Sequence, residues 1–152
     1  MPENENNNSN EVRIEQLPRQ FFTVSAVVQD TSAATAANYG VFFIAPFSCE
    51  VIETWESHKT AGSDAGAVTL DIEKLTSAQA LDDGVSMLTS TFNLKSTANT
   101  PVRVKSTTTV LNQFIEPGHR LALKDSGTLT AVAHVCVTVL LRVLQKQISL
   151  TA

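Results

Sequence analysis

Between Ala131 and Val143 every odd position is apolar: Ala131, Ala133, Val135, Val137, Val139, Leu141 and Val143. The even positions include His134, Thr138 and Arg142. Side chains on a strand alternate between its two faces, so a row of seven at spacing two commits this segment to a long strand with one buried face. Such a face must be covered by helices or by more sheet, and no other stretch carries a sustained helical stripe. The composition agrees. Eighteen threonines and sixteen valines stand against one tyrosine and one tryptophan, and β-branched side chains pack well on a pleated sheet and lose freedom in a helix.

Shorter segments repeat the same period. Phe22, Val24, Ala26 and Val28 alternate with Phe21, Thr23, Ser25 and Val27, which predicts a strand with one richer face. Tyr39 to Ile44 is a continuous apolar run, as in a strand buried on both faces. Cys49 to His58 reads as a strand of mixed faces. Val68, Leu70 and Ile72 point inward from a strand whose Thr69, Asp71 and Glu73 face water. Val102 to Val110 is a further strand, with Arg103 and Lys105 on its wet side. Leu121 and Leu123 belong to another, between turns at Glu116-Pro117-Gly118 and Asp125-Ser126-Gly127. Ser77 to Leu94 fits a short helix or an irregular strand. Seven or eight strands without a βαβ rhythm imply an all-β, jelly-roll-like β-sandwich. Its predicted core is Val68, Leu70, Ile72, Leu121, Leu123, Val135, Val137, Val139 and Leu141.

At 152 residues one domain can bury an adequate core without a metal or disulfide staple. The chain divides into an extended N-terminal arm over 1–20, the sandwich over 21–144 and a C-terminal extension over 145–152. The arm opens with five asparagines among its first ten residues and cannot bury enough apolar surface to fold alone. Asparagine amides both donate and accept, so they can pair with exposed backbone on a neighbouring subunit. Asn6, Asn7, Asn8 and Asn10, with Val12 and Ile14 as apolar anchors, are the candidate contacts to a neighbouring chain.

Only 17% of the residues are charged and the net charge is −4. The surface must be covered mainly by neutral polar groups, and the basic face that grips phosphates is missing, which argues against nucleic acid as a partner. The first twenty residues have neither a basic start nor an apolar stretch, which argues against a secretory signal, and no run approaches a membrane span. Cys49 and Cys136 read as small hydrophobes in a reducing compartment.

Catalytic arrangements are scarce. His58, His119 and His134 form no local metal-ligating pair and read as surface or interface residues. The glycines stand in turns rather than in a nucleophile elbow or phosphate loop. Asp82-Asp83-Gly84 and Ser63-Asp64-Ala65-Gly66 have the residues a tight turn demands and too few ligands for a calcium loop. Trp55 is a core anchor, or a sugar-stacking platform if exposed. No enzyme, no cofactor and no metal are expected.

Three pieces are familiar as sequence: AGAVTLDIEKL, FNLKSTANT, and PGHRLALKDSGTLT leading into the long last strand. Together with Asn38 to Asp83 they resemble small virion proteins of tailed bacteriophages, the capsid decoration or cement proteins and related head-fibre proteins. The likeness runs from about Phe22 to Val143. His119 stands where the family form has Asp, so no role of that carboxylate is carried over. The resemblance implies a β-sandwich, homotrimers on the outer surface of a capsid assembled in the host cytoplasm, the major capsid protein as partner, and no catalysis. The arm is outside the shared pattern.

A carbohydrate- or host-binding head-fibre module is the competing expectation, and a cupin-like metal site in the sandwich the third. A binding module should gather aromatic and polar side chains in exposed loops. A cement protein should show broad flat faces, with Trp55 and Tyr39 buried.

Overall fold

The computed structural model describes residues 20–30 and 40–144. In chain order the elements are β1 (Phe21–Asp30), β2 (Gly40–Ile44), β3 (Cys49–Thr60), β4 (Thr69–Leu75), β5 (Val85–Ser86), β6 (Phe92–Asn93), β7 (Val102–Lys105), a helical turn α1 (Val110–Gln113), β8 (Phe114–Ile115), β9 (Arg120–Ser126) and β10 (Ala133–Val143). They form two five-stranded antiparallel sheets. One runs β1-β10-β3-β7 with β8 also on β3, the other β2-β9-β4-β5 with β6 also on β4.

The pairings nest. β1 lies on β10, β2 on β9, β3 on β7 and β8, and β4 on β5 and β6. That is one long hairpin rolled up so that alternate pairs fall in alternate sheets, the jelly roll. β7 and β8 occupy one strand position, with α1 bulging out between Lys105 and Phe114. β5 and β6 share another, around the excursion 87–91.

The inward faces carry the core. All nine predicted core residues are buried, none more than 3% exposed, and each such aliphatic side chain contributes about 2 kcal/mol by leaving water. Phe92, Met87, Leu94 and Ile115 join them. On β10 the predicted alternation holds from Val135 to Leu141, and β1 turns Phe22, Val24, Ala26 and Val28 onto the same cluster.

Four expectations need correction. β2 is an edge strand rather than one buried on both faces, with Val41 and Ile44 exposed. Glu73 does not face water, because the loop 76–84 folds across the outer face of its sheet and leaves it 4% exposed. The strand expected over Val102 to Val110 stops at Lys105, where the chain leaves β3 for α1. His58 is buried, not on the surface. The ambiguous stretch from Ser77 to Leu94 is turns with two short strands, β5 and β6.

Candidate interaction surface

The two long sides of the sandwich differ. At the β5/β7 side backbone bonds tie one sheet to the other: Thr107 N donates to Met87 O at 2.7 Å and Thr89 N to Lys105 O at 3.1 Å. Leu88 bridges Ser106 there, and Lys74 Nζ reaches from β4 to Phe114 O on β8 at 3.0 Å. Burial pulls the Lys74 ammonium below its ordinary pKa, against the opposing pull of Glu116. That side is sealed.

At the β1/β2 side no described strand pairs with the outer edge of either sheet. Side-chain packing fills the gap between them, with Phe22 against Phe43 at 6.1 Å and against Phe47 at 5.5 Å between ring centroids. Phe21 is 52% exposed and Ile44 62%, and Phe47 and Val41 are also exposed. Val143 N donates to Gln20 O at 2.8 Å, so the even-numbered residues of β1 turn their peptide groups toward β10. By the alternation of an antiparallel ladder, the N–H and C=O groups of Phe21, Thr23, Ser25 and Val27 face the open edge.

The outer face of the β1-β10-β3-β7 sheet is broad and nearly neutral. Thr23, Ser25, Val27, Cys136, Thr138, Leu140, Trp55 and Ser57 share it, and Ser25 Oγ meets Thr138 Oγ1 at 2.9 Å. Toward its borders Arg142 pairs with Glu50 and Arg103 with Glu53, and the exposed Lys59 and Lys105 add charge there. Trp55 lies between Thr138 and Arg103, half-buried in mid-strand.

The polar groups elsewhere hold loops. His58 Nδ1 lies 2.9 Å from Glu56 Oε1, and His58 Nε2 lies 3.1 Å from the Ser96 carbonyl oxygen. That carbonyl only accepts, so Nε2 donates to it and Nδ1 is turned to the Glu56 carboxyl. Burial raises the Glu56 carboxyl pKa above its ordinary range, against the hydrogen bond and charge of His58. Both side chains are shut from solvent, so the pair fastens the loop after β6 rather than meeting a substrate. Asn99 N adds a bond to His58 O at 2.7 Å. Lys95 Nζ caps the neighbouring turn through Asp64 O at 2.6 Å and Gly66 O at 3.0 Å.

On the other sheet Lys124 Nζ lies 2.7 Å from Asp82 and 2.9 Å from Glu73. These carboxylates, Asp82 foremost, hold its ammonium above the usual lysine pKa. Asp71, its pKa raised by burial, accepts from Ser86 Oγ at 2.8 Å. Arg120 donates to Thr76 O and Gln79 O. The loop 76–84 is thereby strapped down over the sheet.

Among the described residues no three His, Cys, Asp or Glu side chains converge on a metal position, and no helix is long and apolar enough to cross a membrane. Asn6, Asn7, Asn8, Asn10, Val12, Ile14 and Tyr39 lie outside the described residues. The sequence reading missed the open β1 edge. The neutrality of Phe21 to Val28 was a visible signal for it, but which strand ends a sheet is set by topology.

No known protein-family model matches the sequence, and no curated protein is similar to it. Solved structures are. A chain of the cyanophage Pam1 capsid asymmetric unit superposes with a TM-score of 0.56 at 11% identity, covering 83% of this chain and 86% of that one. A chain of the capsid of Ralstonia phage GP4 does so with a TM-score of 0.56 at 13% identity, covering 85% and 86%. At such identities the likeness lies in the fold: the rolled sandwich described above is one found in the capsids of two phages.

Proposed function

We propose that this chain is a structural virion protein, a homotrimer that binds the outer surface of a phage capsid and cements it. The observation that carries the reading is the match of one fold, over more than four-fifths of both chains, to components of two phage capsids. The broad, neutral outer face and the apolar open side support it, since surfaces of this kind are normally covered in an assembly. The partners are the major capsid protein and further copies of the chain, and no cofactor or catalysis is involved. Asn6, Asn7, Asn8 and Asn10, with Val12 and Ile14, make the capsid or subunit contacts while the sandwich projects outward. Ordering ten such residues costs roughly 10 kcal/mol or more in backbone entropy, so the arm needs a contact that an assembly repeats.

The test is sedimentation of the full chain with capsids from the same source, stripped of their outer proteins. The chain should pellet with them. Deleting Met1 to Asn10 should weaken capture while leaving the melting temperature almost unchanged. A full chain left in the supernatant overturns the reading. Trp55 meets neither criterion: it sits in mid-strand rather than in an exposed loop, and it is half-buried between Thr138 and Arg103 on the outer face rather than buried.

A further inference from the structure

The unequal sides of the sandwich identify a second docking site. Proteins protect exposed strand edges with charge, proline, bulges or shortness. β2 is short and has a register shift between Val41 and Phe43. β1 has none of these devices from Phe21 to Val28. It is ten residues long, in unbroken register with β10, and without charge or proline until Asp30. Phe21, Thr23, Ser25 and Val27 present peptide groups along it, and all four residues are exposed. An edge of this kind is a template for an added strand.

The chain has a segment suited to the role. Glu11 to Leu17, EVRIEQL, alternates Val12 and Ile14 with Glu11, Arg13 and Glu15. Only Pro18 and Arg19 separate it from Gln20, where the described strand region begins. A return onto the chain's own β1 that kept all of 11–17 paired would leave Pro18 and Arg19 as a two-residue hairpin, and the turns favoured at that length have positive φ at the centre. Proline is locked near −65°, arginine disfavours the left-handed region, and a residue that precedes proline favours extended backbone. No glycine occurs from Met1 to Gln20. Pairing along the whole of 11–17 therefore suits the edge of another copy better than its own.

We propose that Glu11 to Leu17 of one copy adds as a strand to the open edge of β1 in the next, and that three such exchanges close the ring. This rests on the trimer proposed above and divides the arm: residues 11–17 hold the neighbour, and Met1 to Asn10 remain to reach the capsid.

The experiment reads oligomeric mass and a crosslink, independently of capsids. In a Cys136→Ser background, Arg13→Cys and Thr23→Cys are combined and oxidised. Disulfides should join different copies, giving covalent dimers and trimers on a non-reducing gel. Deleting Met1 to Leu17, and separately Thr23→Pro, which removes one outward N–H while leaving the bonds to β10 in place, should each lower the trimer to monomer mass with the β circular dichroism spectrum retained. Crosslinks confined within single chains overturn the proposal, because the arm then occupies its own sandwich. A deletion variant that stays trimeric overturns it as well. A chain that trimerises through the arm yet fails to pellet with capsids refutes the cement reading alone, whereas one that still pellets as a trimer after losing the 11–17 segment refutes only the exchange.

Discussion

Glu56 and His58 project from the same face of β3, two residues apart, and their side chains meet at 2.9 Å with neither residue more than 1% exposed. An inward-facing polar pair in a Val- and Leu-lined sandwich is tolerated because it is nearly self-satisfying and anchors a loop carbonyl at its far side.

This pair sets a pH dependence. Burial lifts the Glu56 carboxyl above its ordinary value of 4.5, so the folded state binds that proton more tightly than the unfolded chain. The contribution is whole below the unfolded value and is lost as pH rises through the folded one. Urea unfolding from pH 4 to 7 should therefore show a steeper loss of stability for the native chain than for Glu56→Gln. Equal slopes would remove Glu56 as the cause.

The two thiols should separate cleanly. Cys49 is buried and its pKa is pushed up to about 11 by that burial, while Cys136 is half-buried on the outer face. Iodoacetamide at pH 8 should add one group to the folded protein, at Cys136, and a second only on denaturation. Cys49 pairs with Val143 and Cys136 with Ser57, eight positions apart along β3 and on opposite faces. Oxidation should leave no bond within one chain.

Gly127 and Gly118 offer a matched pair. Both have positive φ, +91° and +84°. A Cβ at Gly127 would stand 2.0 Å from the Ala67 carbonyl oxygen, whereas at Gly118 it meets nothing within 4 Å. Gly118→Ala should cost about 1 kcal/mol from backbone strain alone. Gly127→Ala should cost several times more, seen as a much larger drop in the urea midpoint.

Lys124→Met should release the strap. Glu73 would keep a buried carboxylate without its cation, and because Lys124 is itself a third exposed the loss should be about 1 to 2 kcal/mol. Limited proteolysis should then cut within 76–84 before any other described loop. A digestion pattern unchanged from the native one would show that Arg120 alone holds the loop.

How much of this could be read beforehand depends on what each residue's neighbours were. The β10 row and the alternation around Leu70 were legible because strand period is local, and every core residue inferred from it is buried. The run Val41 to Ile44 misled because continuous apolarity marks either a central strand or an edge that a partner covers. Glu73 was misplaced because the loop 76–84 is held back over it by Lys124 and Arg120 of β9, and His58 because the loop carrying Ser96 covers it. Thr107 to Gln113 departs from the strand it continues because β3 is rejoined only at Phe114. These are long-range facts that spacing does not carry.

Ser25 and Thr138, whose hydroxyls meet, are 113 positions apart in the chain. The first strand of its sheet has no strand partner until the last has been synthesised, whereas β4 and β5 are available to each other early in synthesis. Folding dominated by such distant pairings takes milliseconds to seconds. During synthesis Phe21 to Val28 must wait as a neutral, strand-forming ribbon with both edges bare. That ribbon is therefore the part of the nascent chain most in need of shielding, and raising the rate of translation or the temperature of expression should send more of this protein into inclusion bodies.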